Sequence, residues 1–111
     1  MNILIRLINI LELIKMKTFQ EIENILKEHK SELKQKFKVN KIGIFGSYVK
    51  GKHTKLSDVD LLIELIEPIG WEFVDLKEFL EDVLGINVDL VTINALKPQL
   101  KDSILAEVVY T

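Results

Sequence analysis

Apolar and polar positions alternate with changing period along the chain, and each change of period marks a new element. From Lys17 to about Lys36, Phe19, Ile22, Ile25, Leu26 and Leu33 recur at three- and four-residue steps, with Lys and Glu between them. That spacing predicts an amphipathic helix. Thr18 is placed to cap it, with Glu21 three residues later as the partner of a capping box. The period then shortens. Val39 to Phe45 (VNKIGIF) is short, β-branched and apolar, which predicts a strand ended by Gly46-Ser47. Residues 47–52 are expected to form a short helix and His53 to Ser57 a polar loop. Asp58 to Ile66 (DVDLLIELI) is almost continuously apolar after its two aspartates, the pattern of a central strand covered on both faces. The segment 67–70 breaks it.

Helical spacing returns from Trp71 to Leu84 through Phe73, Val74, Leu76, Phe79, Leu80 and Val83, and Gly85 sits where a left-handed C-terminal glycine belongs. Trp71 and Phe73 are expected in the core. Ile86 to Thr92 (INVDLVT) predicts a third strand. Pro98 suits the first turn of a last helix carrying Leu100, Ile104, Leu105 and Val108. The order α-β-(α)-β-α-β-α predicts an α/β (α+β) domain, a small mixed β-sheet flanked by helices.

The first fifteen residues, MNILIRLINILELIK, stand apart. Arg6, Glu12 and Lys15 interrupt the apolar run, which is too short and too charged for a membrane span. No small-residue cleavage site marks it as a signal peptide. It reads as an extra amphipathic helix, packed on the domain or on a partner, or as sequence preceding a true start at Met16. Residues 16–111 then form the one domain that 111 residues allow.

Composition narrows the chemistry. Apolar residues make up 48% and charged residues 29%, which fits a packed globular domain. A net charge of −2 argues against a general nucleic-acid binder. The absence of cysteine rules out disulfides and thiolate metal sites, and fits a cytoplasmic location. With only His29 and His53 available, any metal would be held by carboxylate oxygen, which favours magnesium or manganese.

Asp58 and Asp60 carry that possibility. On a strand, alternate residues share a face with Cα atoms roughly 6.5–7 Å apart. Two carboxylates so placed repel unless a cation lies between them. Taken alone, an Asp-x-Asp pair is more often a solvated strand end. Here Gly46-Ser47 follows a strand, and such a turn brings backbone N–H groups and a hydroxyl close to a phosphate. Lys50, Lys52 and Lys55 lie between that turn and the aspartates. Asp89 interrupts the apolar strand Val88 to Val91 and is the best candidate for a third carboxylate. Glu64 shares the face of Asp58 and Asp60, but pairing with a lysine near the strand end explains it more simply. His53 reads as a solvated loop residue, Tyr48 and Tyr110 as packing or surface residues.

Together, Gly46-Ser47, Gly51 and Ser57-Asp58-Val59-Asp60 match the pattern GSxxxGxxxxxSDxD. This resembles the signature of the minimal nucleotidyltransferases within the DNA polymerase β-like nucleotidyltransferase superfamily. The run VDLVTINALKPQLKDSIL is similar to that family's third-strand segment and closing helix, so the resemblance covers roughly residues 18–110. It implies a polymerase β-like fold and transfer of a nucleoside monophosphate from a nucleoside triphosphate. It further implies that Gly46 and Ser47 bind triphosphate, with Lys50 and Ser57 beside them. Asp58 and Asp60 would hold Mg2+ (two ions, with Mn2+ as the substitute), and Asp89 would complete the triad and act as base. Many relatives have Ala-Arg where this chain has Val49-Lys50; lysine keeps the charge but not arginine's bidentate grip.

Stand-alone proteins of this kind are commonly paired with a HEPN-domain ribonuclease. The resemblance therefore implies ATP as donor and a toxin tyrosine as acceptor, the protein acting as antitoxin of a type VII toxin–antitoxin system, with no direct nucleic-acid or membrane binding. Two other readings stay open. One is nucleotidyl transfer to a small molecule or RNA; the other is a non-catalytic antitoxin that neutralises its partner by contact.

Overall fold

The computed structural model describes residues 2–15 and 17–111. Met16, the alternative start, lies outside the described residues. Among the described residues, six helices and four strands follow one another: α1 (Ile3–Lys15), α2 (Phe19–Glu28), α3 (Lys30–Phe37), β1 (Val39–Phe45), α4 (Ser47–Lys50), β2 (Val59–Leu65), α5 (Glu72–Leu84), β3 (Val88–Thr92), a 3-10 turn at 93–95, α6 (Pro98–Glu107) and β4 (Val109–Tyr110). The sheet order is β3-β2-β1-β4. β1 runs antiparallel to β2 and to β4, while β2 and β3 are parallel. The sheet is thus small and mixed, as expected from the sequence.

Period-two geometry sorts the sheet into two faces. Ile42, Ile44, Val59, Leu61, Ile63, Val88 and Leu90 point to one side and are buried. They form one core with Ile22 and Leu26 of α2, Leu33 and Phe37 of α3, and Leu76, Leu80 and Leu84 of α5. Each fully buried large aliphatic side chain contributes roughly 1.5–3 kcal/mol. The opposite face carries Gly43, Phe45, Asp60, Leu62 and Asp89. Leu62 is also fully buried, so β2 is covered on both sides at its middle.

Several boundaries differ from the sequence reading. The helix expected from Lys17 to about Lys36 is two helices, broken at His29 (φ −100°, ψ 7°). His29 leaves helical geometry, hydrogen-bonds the Ile25 carbonyl oxygen through Nδ1 at 2.9 Å, and sets its ring edge-on to Phe79. Thr18 does cap α2, its hydroxyl accepting from the Glu21 N–H at 3.1 Å. β2 begins at Val59, leaving Asp58 just outside the strand, and β3 begins at Val88. Gly85 closes α5 in the left-handed conformation, at φ 70°.

Trp71 is not in the core. It precedes the first turn of α5 and is 88% exposed, whereas Phe73 is half-buried. The last helix stops at Glu107 and buries no residue fully; Leu100 and Leu105 are exposed, Ile104 and Val108 half-buried. Its β-branched tail leaves the helix and pairs with β1 instead, Val109 opposite Ile44 and Tyr110 opposite Gly43. Gly43 permits this approach, because a Cβ there would meet Val108 Cγ2 at 2.6 Å. In α1, Ile3, Leu4, Ile5, Leu7, Ile8, Ile10 and Leu11 are all exposed. No helix among the described residues is long and apolar enough to cross a membrane.

Candidate active site

The acidic site forms where β1 ends and β2 and β3 begin. Pairing places Asp60 opposite Phe45 on one side and opposite Asp89 on the other. Paired residues on neighbouring strands share a face, about 4.8 Å apart. Asp60 and Asp89 therefore stand side by side on the sheet face away from the helical core. Asp58, two residues earlier, lies at the mouth of the strand and is exposed, as is Asp89, while Asp60 is half-buried. Asp89 sits at an open rim, although the strand residues on either side of it are buried.

The site's electrostatics are concentrated on Asp60. Burial, then the charge of Asp89 and a hydrogen bond shared with it, then the charges of Asp58 and Glu107, push its carboxyl up from 3.8 to about 6. Three neighbouring carboxylates thus act on the Asp60 carboxyl. Carboxylates crowded enough to hold a proton near neutrality are a donor set suited to a hard divalent cation, which relieves the same repulsion. Among the described residues, no three acidic or histidine side chains are already converged for a metal. The close pair is Asp60 with Asp89, and Asp58 stands apart at the exposed mouth.

The glycine turn is locked to this cluster. Gly46 has φ 75° and ψ −146°, a conformation open essentially to glycine alone. A Cβ there would fall 2.0 Å from Asp60 Oδ2. The turn therefore passes directly over the carboxylate, and β1–β2 pairing holds the two together. Ser47 opens α4, a single turn closed by Gly51 at φ 70°. Lys50 points toward the cluster, its Nζ 3.3 Å from Glu107 Oε2. Ser57, by contrast, is engaged inside its own loop: its hydroxyl accepts from the Thr54 N–H at 2.9 Å.

Two features escape the sequence reading, the placement of Glu107 and that of His53, while Tyr48 is a packing residue, one of its two expected readings. Glu107, at the end of α6, accepts a hydrogen bond from the Gly46 N–H through Oε1 while pairing with Lys50. Tyr48 is buried at 4% exposure, burial raises its hydroxyl pKa, and His53 stacks on its ring with centroids 4.0 Å apart and planes within 9°. His53 is therefore half-buried rather than solvated, and its Nδ1 has no hydrogen-bond partner among the described residues. The only sequence signal for Glu107 is the run Val108-Val109-Tyr110, which reads as a strand in its own right. Glu64 pairs with Lys41 at 3.9 Å, as the simpler reading expected.

A cavity of about 700 Å3 lies at the far end of β2 and β3, lined by Ile63, Glu67, Ile69, Phe73, Thr92 and Asn94 among others. Its acidic lining residues are Glu64 and Glu67, and its nearest lining residue on β2, Ile63, lies three positions beyond Asp60. The carboxylate cluster and the glycine turn lie together at the Gly46–Asp60–Asp89 end.

Comparison with known proteins gives the family and the fold. Residues 26–111 match the family model described as a nucleotidyltransferase domain. A protein adenylyltransferase MntA of Thermococcus cleftensis is 48% identical over 96 residues, covering 86% of this chain and 97% of that protein. Among solved structures, a toxin–antitoxin with AMP-PNP superposes with a TM-score of 0.66 at 22% identity, over 79% of this chain and 70% of the other. A tri-AMPylated Shewanella oneidensis HEPN toxin in complex with MNT antitoxin gives a TM-score of 0.61 at 20% identity, over 84% and 71%. At these identities the two structures speak to the fold.

Proposed function

This chain belongs to the nucleotidyltransferase domain family, and we propose that it transfers AMP from ATP to a tyrosine hydroxyl of a HEPN-domain toxin, acting as that toxin's antitoxin. The observation that carries the reading is the register of Asp60 with Asp89 beneath the Gly46 turn. It unites an anion-binding backbone with a carboxylate cluster, and in-line phosphoryl transfer needs both. The donor and acceptor follow from relatives: a 48% identical protein is named a protein adenylyltransferase, and the fold is shared with an antitoxin bound to an AMPylated HEPN toxin.

In this reading Gly46 N–H, the Ser47 hydroxyl and Lys50 bind the donor's phosphates. Ser57 supports the reaction indirectly, by closing the loop that leads into Asp58. Asp58, Asp60 and Asp89 would hold Mg2+, which supplies Lewis-acid stabilisation of the attacking and leaving oxygens. The acceptor oxygen attacks the α-phosphorus, the bond to the bridging oxygen breaks, and pyrophosphate leaves. Asp89, on the exposed rim beside Asp60, takes the acceptor's proton.

The test incubates the protein with α-labelled ATP, Mg2+ and a candidate HEPN-domain toxin from a neighbouring reading frame. Label is expected on the partner and absent with Asp58→Ala. If folded Asp58→Ala protein still protects against the partner's toxicity, neutralisation is by contact. Label on RNA or on a small hydroxyl compound, with none on protein, overturns the choice of acceptor.

A further inference from the structure

The chain's own C-terminal segment supplies an anion to the place where the phosphates are expected. Glu107 is the last residue of α6, and the strand that follows anchors it by pairing with β1 through Val109 and Tyr110. Its two carboxylate oxygens divide the work. Oε1 accepts from the Gly46 N–H, and Oε2 lies 3.3 Å from Lys50 Nζ. A carboxylate bridging an amide and an ammonium makes the same contacts that a phosphate oxygen pair would make. The side chain is 20% exposed, against 54% for Lys50, so the contact is partly shielded from water. Glu107 also adds negative charge beside Asp60, which already faces Asp58 and Asp89. Nothing in the packing of α6 demands an acid here, since that helix has no fully buried residue.

We infer that Glu107 is a resident competitor of the nucleotide: it occupies Gly46 N–H and Lys50 in the empty enzyme and is displaced when the donor's phosphates bind. This rests on the reading of Gly46 and Lys50 as phosphate-binding groups. The single Gly46 N–H cannot serve two anions fully, and a carboxylate left beside Lys50 among the phosphates would repel them. Glu107 therefore weakens donor affinity and holds the turn in shape until the donor arrives.

The experiment is calorimetric titration with Mg·ATP and, separately, with metal-free tripolyphosphate. Wild type, Glu107→Gln, Lys50→Met and the double variant are compared. Gln keeps an oxygen for the Gly46 N–H but removes the charge. Glu107→Gln is expected to bind both probes about tenfold more tightly, as removing one nearby like charge in a half-exposed site implies. The gain should shrink with added salt and fall below about threefold in the Lys50→Met background. Unchanged or weaker binding by Glu107→Gln protein of wild-type thermal stability overturns the inference and makes Glu107 a positioning residue. If Glu107→Gln is poorly folded, Glu107→Asp is read instead. Its shorter side chain should give an intermediate gain, and no gain overturns the inference equally. Failure of the wild type to bind either probe overturns the underlying phosphate-site reading, a different result from wild-type binding that the substitutions leave unchanged.

Discussion

Replacing Asp60 by Asn is expected to stabilise the metal-free protein while removing its activity. Burial and the neighbouring Asp89 raise the Asp60 carboxyl from 3.8 to about 6. The folded chain thus binds this proton more tightly than the unfolded chain. For an acid shifted upward, stability is greatest below the unfolded value, falls as pH rises from 3.8 to about 6, and stays low above it. At full weight the shift corresponds to roughly 3 kcal/mol. Asp60 is only half-buried, and solvent screening reduces the figure to about 1–1.5 kcal/mol. In a domain of this size that is roughly 4–6 °C in Tm. The assay is thermal unfolding by circular dichroism, with chelator present, at pH 7.5 and pH 4.5. Asp60→Asn should melt higher than wild type at pH 7.5 and nearly level with it at pH 4.5, where the wild-type carboxyl already carries its proton. Equal melting at pH 7.5, or a gain undiminished at pH 4.5, would refute the electrostatic argument.

Two further outcomes follow from the same end of the sheet. Mg2+ or Mn2+ should raise the wild-type Tm at pH 7.5 and do so less at pH 5, because protons compete for the same carboxylates; a shift independent of pH, or one retained in Asp60→Asn, contradicts the assigned ligands. Gly46→Ala should cost about 2–4 kcal/mol in urea unfolding, from the glycine-only backbone conformation and the contact with Asp60, and adding Asp60→Ala should restore the contact share but not the backbone share; strict additivity would show that the turn and the carboxylate are uncoupled.

Much of this was legible in the sequence because it depends on local rules. β1 was read at its observed limits from a β-branched run, and Gly85 from the end of a helical period. The Gly46–Asp60 segment was readable because its parts sit within fifteen residues of one another. Placing Asp89 beside Asp60 required only that two apolar strands be neighbours, and the parallel register supplies it. What escaped depends on contacts between distant segments. The break at His29 arises from its bond to Ile25 and its packing on Phe79, and spacing carries no trace of either. Trp71 fits a helical stripe, yet stands one position before the helix and faces water. Glu107 reaches Gly46 across 61 residues, and no periodicity relates them.

The pairing of Phe45 with Asp60 has a consequence for how such a small protein can diversify. The 51–57 loop follows the α4 turn and leads through Asp58 into β2, while the pairing of Phe45 with Asp60 and of Asp60 with Asp89 is made by the strands themselves and does not depend on what the loop does. Closing a longer loop costs little, about 0.6 kcal/mol for each doubling of length. Its tip exposes Leu56 at 85%, with Lys52 and Lys55 exposed near it. Length and side chains can change at that tip without moving Asp60 or Asp89, which the strands hold. The strands keep Asp60 beside Asp89, and the loop tip can vary next to them.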